Sequence, residues 1–157
     1  MSYEAVRQIV EKRFFDAYSS TDAGAQGAVV FLEGRDIVQP TDCLDGTSGT
    51  SGTSGTSTPW EVLSIVDGGS KIRAFNKDMR KTSGFVRFSL FVSAGAGTRS
   101  VRQLADYIDG IMGFQGGVSD TSNPGNLLTH VGQLRRLADD NDGYLKYVID
   151  FDYDYYE

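Results

Sequence analysis

One cysteine and one histidine bound the covalent and metal chemistry open to this 157-residue chain. Cys43 stands in the run Thr41-Asp42-Cys43-Leu44-Asp45. A thiolate nucleophile needs a cationic neighbour, and acidic neighbours raise a thiol's pKa instead. Cys43 therefore reads as an incidental loop thiol. His130, with Thr129 and Gln133 nearby, could serve as a general base, but no Gly-x-Ser-x-Gly or other nucleophile motif accompanies it. A structural histidine explains it. A lone cysteine cannot close an internal disulfide and a lone histidine cannot build a His-rich cluster, so disulfide scaffolds, zinc fingers and zincin-type sites are excluded. The acidic runs Asp139-Asp140-Asn141-Asp142 and Asp150-Phe-Asp152-Tyr-Asp154 could gather a divalent cation, but their spacing misses the calcium-loop pattern D-x-[DN]-x-[DN]-G with its later Glu. No resident metal, cofactor or enzymatic activity is expected.

Two further motifs come close to known chemistry. Ser93-Ala-Gly95-Ala-Gly97-Thr-Arg-Ser100 lies between a strand pattern and a helix pattern, where a Gly-rich turn can hold phosphate against helix N-terminal N–H groups. It lacks the Lys of a Walker loop and has Ser100 where a dinucleotide fingerprint wants a third Gly. A tight turn and a helix cap account for the same residues. Gly84-Phe85-Val86-Arg87-Phe88 overlaps the core of the RNA-recognition strand RNP1, whose exposed aromatics stack on bases. The Gly-Phe pair that should precede that core is Thr82-Ser83, and alternating aromatics also make ordinary sheet core. RNA binding through Phe85 and Phe88 is the rival reading from another functional class.

Charge supplies a different clue. The chain carries a net charge of -6, with a pI near 4.7, which argues against general nucleic-acid binding, since affinity for phosphates comes largely from Lys and Arg. The distribution is uneven. Lys71, Arg73, Lys77, Arg80, Lys81, Arg87, Arg99 and Arg102 are opposed only by Asp78, whereas Asp139, Asp140, Asp142, Asp150, Asp152, Asp154 and Glu157 are opposed only by Lys146. On different faces, such blocks would let copies of the chain attract head to tail, the contact that generates rings or filaments. Two solvated faces of a monomer are the plainer alternative. The candidate interface is Lys71, Arg73, Lys77, Arg80 and Lys81 against Asp150, Asp152 and Asp154.

The elements that must position these residues follow from periodicity. Val6, Ile9, Val10, Arg13, Phe14 and Ala17 share one face of a helix over 3–18. Ala28 to Leu32 reads as a short strand, and EGRDIVQPTD as a loop bending at Pro40. Thr47 to Ser57 is a tandem TSG tract with no apolar side chain, expected to be a flexible insertion within 41–58 of one 157-residue domain. Trp60 to Val66 alternates with Trp60, Val62, Ser64 and Val66 on one side. Asp67-Gly68-Gly69 is read as a hairpin turn leading to a partner strand over 71–78. After a turn at Arg80-Lys-Thr-Ser-Gly84, the strand over 85–92 is placed centrally, with Val86, Phe88, Leu90 and Val92 facing one way. Thr98 or Ser100 caps a helix striped by Val101, Leu104, Ala105, Ile108, Ile111 and Met112, with Ser100 and Gln103 as a capping box. A loop over 113–126 and two strands, over 127–138 and 144–155, close the chain. In the last, Leu145, Tyr147, Ile149, Phe151, Tyr153 and Tyr155 take one face and Asp150, Asp152 and Asp154 the other. The expected fold is α+β: a mixed, mainly antiparallel sheet with two helices packed on it. The N-terminus has no secretory h-region and no apolar run approaches the ~20 residues of a membrane span, so a cytoplasmically made protein without membrane contact is expected.

In this order of elements the chain resembles the tail terminator, or tail completion, proteins of long-tailed bacteriophages. The resemblance covers most of the chain and rests on AVRQIVEKRFF, AVVFLEGRDIVQP, PWEVLSIVDGG, GFVRFSLFVSAGAG running into TRSVRQLADYIDGIMGFQ, and YLKYVIDFDYDYY. The TSG tract departs from it in a connection between strands. The resemblance implies a subunit of a hexameric ring on the head-proximal end of the tail tube, which ends tube polymerisation and offers a surface for head or neck attachment. Its implied partners are further copies of itself, the tail tube protein, a neck or connector protein and, in a contractile tail, the sheath protein. Genomic DNA would pass through without sequence-specific binding. A neck or head-to-tail connector protein of the same particle is the neighbouring reading.

Overall fold

The computed structural model describes residues 2–19, 21–25, 27–33, 60–72, 80–93, 98–113, 118–120, 123–137 and 144–156. The TSG tract, Cys43, Arg73, Lys77, Gly95, Gly97 and the acidic run 139–142 lie outside them.

Helix α1 (Ser2–Ala17) carries Val6, Ile9, Val10 and Phe14 at i, i+3, i+4 and i+8, and all four are buried. Arg13, on the edge of that stripe, donates from Nε and Nη2 to the carbonyl of Ile111 at 3.2 and 3.1 Å. A cation is thereby placed on the carbonyl end of the second helix, α2 (Arg99–Met112), where the helix dipole favours it. Val101, Leu104, Ala105, Ile108 and Met112 of α2 are buried, and Ile111 packs at their margin. Thr98 is the N-cap position, although its side chain makes no capping bond. Ser100 is already inside the helix, so the Ser100–Gln103 capping box is not formed.

The strands are β1 (Val29–Leu32), β2 (Trp60–Ile72), β3 (Arg80–Ser93), β4 (Val118–Asp120), β5 (Asn123–Thr129), β6 (Gln133–Arg136) and β7 (Tyr144–Tyr156). They form one sheet in the order β1-β2-β3-β7-β5-β4, with β6 also pairing β7. Among the described strands only the β1–β2 pair is parallel. This is the α+β architecture that the sequence predicts. Both helices cover the face that carries Val86, Phe88, Leu90 and Val92 of β3 with Ile149, Phe151, Tyr153 and Tyr155 of β7, in one core cluster. Phe14 of α1 lies 4.9 Å, centroid to centroid, from Phe88, which meets Phe151 edge-on at 5.9 Å.

Three local expectations are corrected. Asp67-Gly68-Gly69 is a bulge inside a longer strand: Asp67 pairs with Gly84 and Gly69 with Ser83, leaving Gly68 without an opposite residue. Gly69 holds φ at 131°, a conformation that favours glycine. Pairing with β3 continues to Ile72–Arg80, so residues 71 and 72 end β2 and residues 80–84 begin β3 in place of the predicted turn, while 73–78 of the predicted partner strand lie outside the described residues. Local turn chemistry lost to the ladder because Tyr153 fits the bulge. It crosses above Gly84, and its hydroxyl donates to Asp67 Oδ1 at 2.6 Å. A Cβ on Gly84 would stand 2.3 Å from the Val66 carbonyl oxygen and 2.7 Å from the Tyr153 hydroxyl.

The predicted loop over 113–126 contains β4 and the start of β5, and the predicted strand over 127–138 is broken in two. From Thr129–Tyr153 to Gln133–Asp150 the edge advances four residues while β7 advances three. The extra residue is absorbed around Gly132, where a Cβ would meet Phe151 Cε1 at 2.5 Å. The Gly132 N–H donates to Asp109 Oδ1 at 3.2 Å. Thr129 Oγ1 donates to the Met112 carbonyl at 2.6 Å, tying the same edge to the end of α2.

Candidate assembly surface

Residues directly opposite in an antiparallel pair share a face, so register decides what the helix-free side of the sheet displays. There β3 and β7 set Lys81 beside Tyr156, Ser83 beside Asp154, Phe85 beside Asp152, Arg87 beside Asp150 and Phe91 beside Lys146. On the other side of β3, Val62 and Ser64 of β2 and Phe31 of β1 continue the surface. Phe31, Val62 and Phe91 form a small half-buried apolar strip.

Lys81, Arg87, Asp150 and Asp154 on this face close on one another within the chain. Arg87 grips Asp150 with two bonds, Nε to Oδ1 at 2.7 Å and Nη2 to Oδ2 at 2.9 Å, and Arg135 of β6 donates to Oδ2 as well. Burial would raise the Asp150 pKa, but Arg87 and Arg135 outweigh it and hold the carboxyl below its ordinary value. Lys81 Nζ lies 2.7 Å from Asp154, the Ser83 hydroxyl donates to the same carboxylate at 2.8 Å, and His130 Nε2 is 3.6 Å away. Burial opposes ionisation of Asp154 too, and Lys81, Ser83 and His130 again bring its pKa down. The cations also lie over aromatic rings, Arg87 at 5.0 Å from Phe85, Lys146 at 5.3 Å from Phe91 and Lys81 at 5.5 Å from Tyr156.

Several residues of the sequence-derived interface are thus paired within the chain. Lys81 and Asp154, set against each other between neighbouring copies, form an ion pair inside one copy, and Asp150 is neutralised by Arg87 and Arg135. Arg80 is exposed at the start of β3, opposite Ile72, and the Lys71 backbone pairs with Lys81. Asp152 is exposed and takes part in no ion pair among the described residues. Arg80 likewise takes part in no ion pair among the described residues, and alternation places it on the helix side of β3, opposite in face to Asp152. Arg135 escaped the sequence reading because its relation to Asp150 depends on β6 pairing with β7 (Gln133 opposite Asp150), which no local pattern announces.

The same register bears on the RNA reading. Phe85 and Phe88 are three residues apart in a strand and point to opposite faces. Phe88 is fully buried under the helices, and Phe85 lies beneath the Arg87 guanidinium. His130 stands at the β5–β6 break beside Asp154, with no serine or cysteine hydrogen bond to make it a base for a nucleophile among the described contacts. No group of three His, Cys, Asp or Glu is placed to hold a metal among the described residues, and no helix is long and apolar enough to cross a membrane.

One polar residue that the sequence reading did not single out lies on the buried side. With Trp60, Val62, Ser64 and Val66 on one face of β2, the other face begins with Glu61, and it is this second face that meets the helices. Glu61 is completely buried, and neither carboxyl oxygen has a hydrogen-bond partner among the described residues. Burial pushes its pKa up to about 8.

No protein-family model and no curated protein matches the chain. A solved structure with 16% sequence identity superposes with a TM-score of 0.65, covering 99% of this chain and 96% of that one. At that identity the likeness shows the fold alone: the whole chain is one instance of an architecture already seen in another protein.

Proposed function

We propose that the chain is a noncatalytic assembly subunit of a long-tailed phage particle, a tail terminator that forms a ring of about six copies on the head-proximal end of the tail tube. The observation that carries this reading is the helix-free sheet face, a broad surface of apolar strip and paired charges built by the strands on which the terminator resemblance rests. A face so organised offers a charge-balanced contact area, while Asp152 on it and Arg80 on the opposite side of the sheet, both outside the ion pairs among the described residues, carry opposite charges for registering one copy head to tail against the next. Tube protein on one side of the ring and neck protein on the other are the partners of this reading.

Native mass spectrometry and negative-stain microscopy across concentration, with and without Mg²⁺, test it together with binding to isolated tail tubes. Closed rings of about six subunits, or capping of tube ends, are the expected result. A chain that stays monomeric under every condition and also ignores tube ends refutes the reading. Asp152→Lys and Arg80→Glu should each reduce ring formation, and unchanged assembly in both would remove the electrostatic part of the argument.

A further inference from the structure

Independently of the assembly reading, we propose that Glu61 is a proton-operated latch: its neutral carboxyl keeps β1 and the end of α1 closed over the sheet, and loss of that proton releases β1 from β2. Geometry makes the case. Glu61 lies on the helix face of β2, between Val30 of β1 and Leu90 of β3. It is completely buried without a partner for either oxygen among the described residues. A neutral carboxylic acid tolerates such a place at modest cost, but a carboxylate does not.

Among the described residues, the groups that face it offer no compensating charge. From the residue after α1 comes Tyr18, whose hydroxyl is committed to the Ala28 carbonyl at 2.7 Å. From α2 comes Tyr107, whose hydroxyl donates to Asp22 Oδ2 at 2.5 Å and accepts from the Ser19 N–H at 3.1 Å. Asp22, in the connection after α1, brings a further negative charge to that side. Val30 from β1 and Leu90 from β3 are uncharged. Burial is the one cause that acts on Glu61, and both phenols are themselves shifted upward, away from neutral pH. Glu61 is thus the group of this cluster that changes charge between about pH 6 and pH 9.

Ionised Glu61 must reach water, and the elements around it differ in how easily they move. β3 is fourteen residues long and paired on both sides, by β2 and by β7. β1 is four residues long and, among the described strands, lies at the sheet edge with β2 as its one neighbour. Beyond the ladder it is held by the Glu33 N–H to the Leu63 carbonyl at 2.9 Å and by Tyr18 through Ala28. Local opening follows the least stable cover, so β1 is the part that lifts.

Amide hydrogen exchange on the full chain, corrected for the intrinsic rate, tests this at about pH 6 and about pH 9. With Glu61 moved from 4.5 to about 8 by burial, linkage predicts that β1 and Glu33 amides lose protection by about 100-fold more than the amides of Val86 to Val92. Glu61→Gln should abolish that difference. Equal losses in β1 and β3, or an unchanged β1 loss in Glu61→Gln, overturn the proposal. Should the variant fail to fold, the ¹³C carboxyl titration of the unmodified chain decides instead. A glutamate titrating near 8 in step with the Glu33 amide supports the latch, and glutamates all titrating near the ordinary value of 4.5 overturn it.

Discussion

Replacing Glu61 by Gln removes the ionisation while keeping the volume and one amide in place of the carboxyl, so it isolates the energetic cost of burying a titratable acid. The sign follows from where the proton sits. The folded chain keeps the Glu61 proton up to about pH 8, whereas the unfolded chain releases it near the ordinary 4.5. Between those values the native state binds more protons, so stability is highest at the acid end, falls as pH rises, and levels off above about 8. From pH 5 to pH 7.5 that shift lowers the stability of the unmodified chain by about 3 kcal/mol, at about 1.36 kcal/mol per pKa unit. Urea denaturation of both proteins at half-unit pH steps reads this directly as a difference of two curves. The two should converge near pH 5 apart from a constant offset for the buried amide, then diverge with Glu61→Gln gaining. Parallel curves from pH 5 to 7.5 would mean instead that Glu61 is hydrated or paired in the folded protein and carries no burial cost.

The remaining expectations concern the two faces of the sheet. Gly84→Ala should cost about 1–3 kcal/mol in urea denaturation, because the added methyl meets the Val66 carbonyl, which is backbone and cannot step aside. Phe88→Ala should cost about 3–5 kcal/mol, whereas Phe85→Ala on the helix-free face should cost about 1 kcal/mol or less; equal costs would place both rings on one side. Asp150, whose pKa is lowered by Arg87 and Arg135, contributes stability above its ordinary range that is lost as pH falls through the folded value. Asp150→Asn should therefore flatten the acid limb of the stability profile below about pH 4, and an unchanged limb would mean that this cluster contributes nothing.

The ion-paired face also changes what charge polarity means for this chain. A basic segment and an acidic segment, far apart in sequence, attract as readily within one molecule as between two. Here the β3–β7 pairing sets Arg87 opposite Asp150 and brings Lys81 onto Asp154. Of the charged residues described on that face, Asp152 and Lys146 stand outside the ion pairs, so the proposed contact between copies would draw more on shape and on the Phe31, Val62 and Phe91 strip than on charge.

Periodicity alone determined the strongest elements. The stripe of α2, the apolar spacing of α1, the even-numbered face of β3 and the odd-numbered face of β7 are all local patterns, and they required the α+β layering, because each apolar face has to be covered. Tertiary structure decided the rest, for reasons that lie in contacts between distant residues. Asp67-Gly68-Gly69 has the composition of a turn, yet it became a bulge because Tyr153 and Gly84, more than ten residues away, fit it. The 127–138 segment reads as one strand, yet it breaks at Gly132, where Phe151 and Asp109 claim the space. The alternation of β2 divides Trp60 from Glu61 but does not say which side is buried. That choice was made by the register with β3, since Leu90 faces the helices and brings Glu61 in with it.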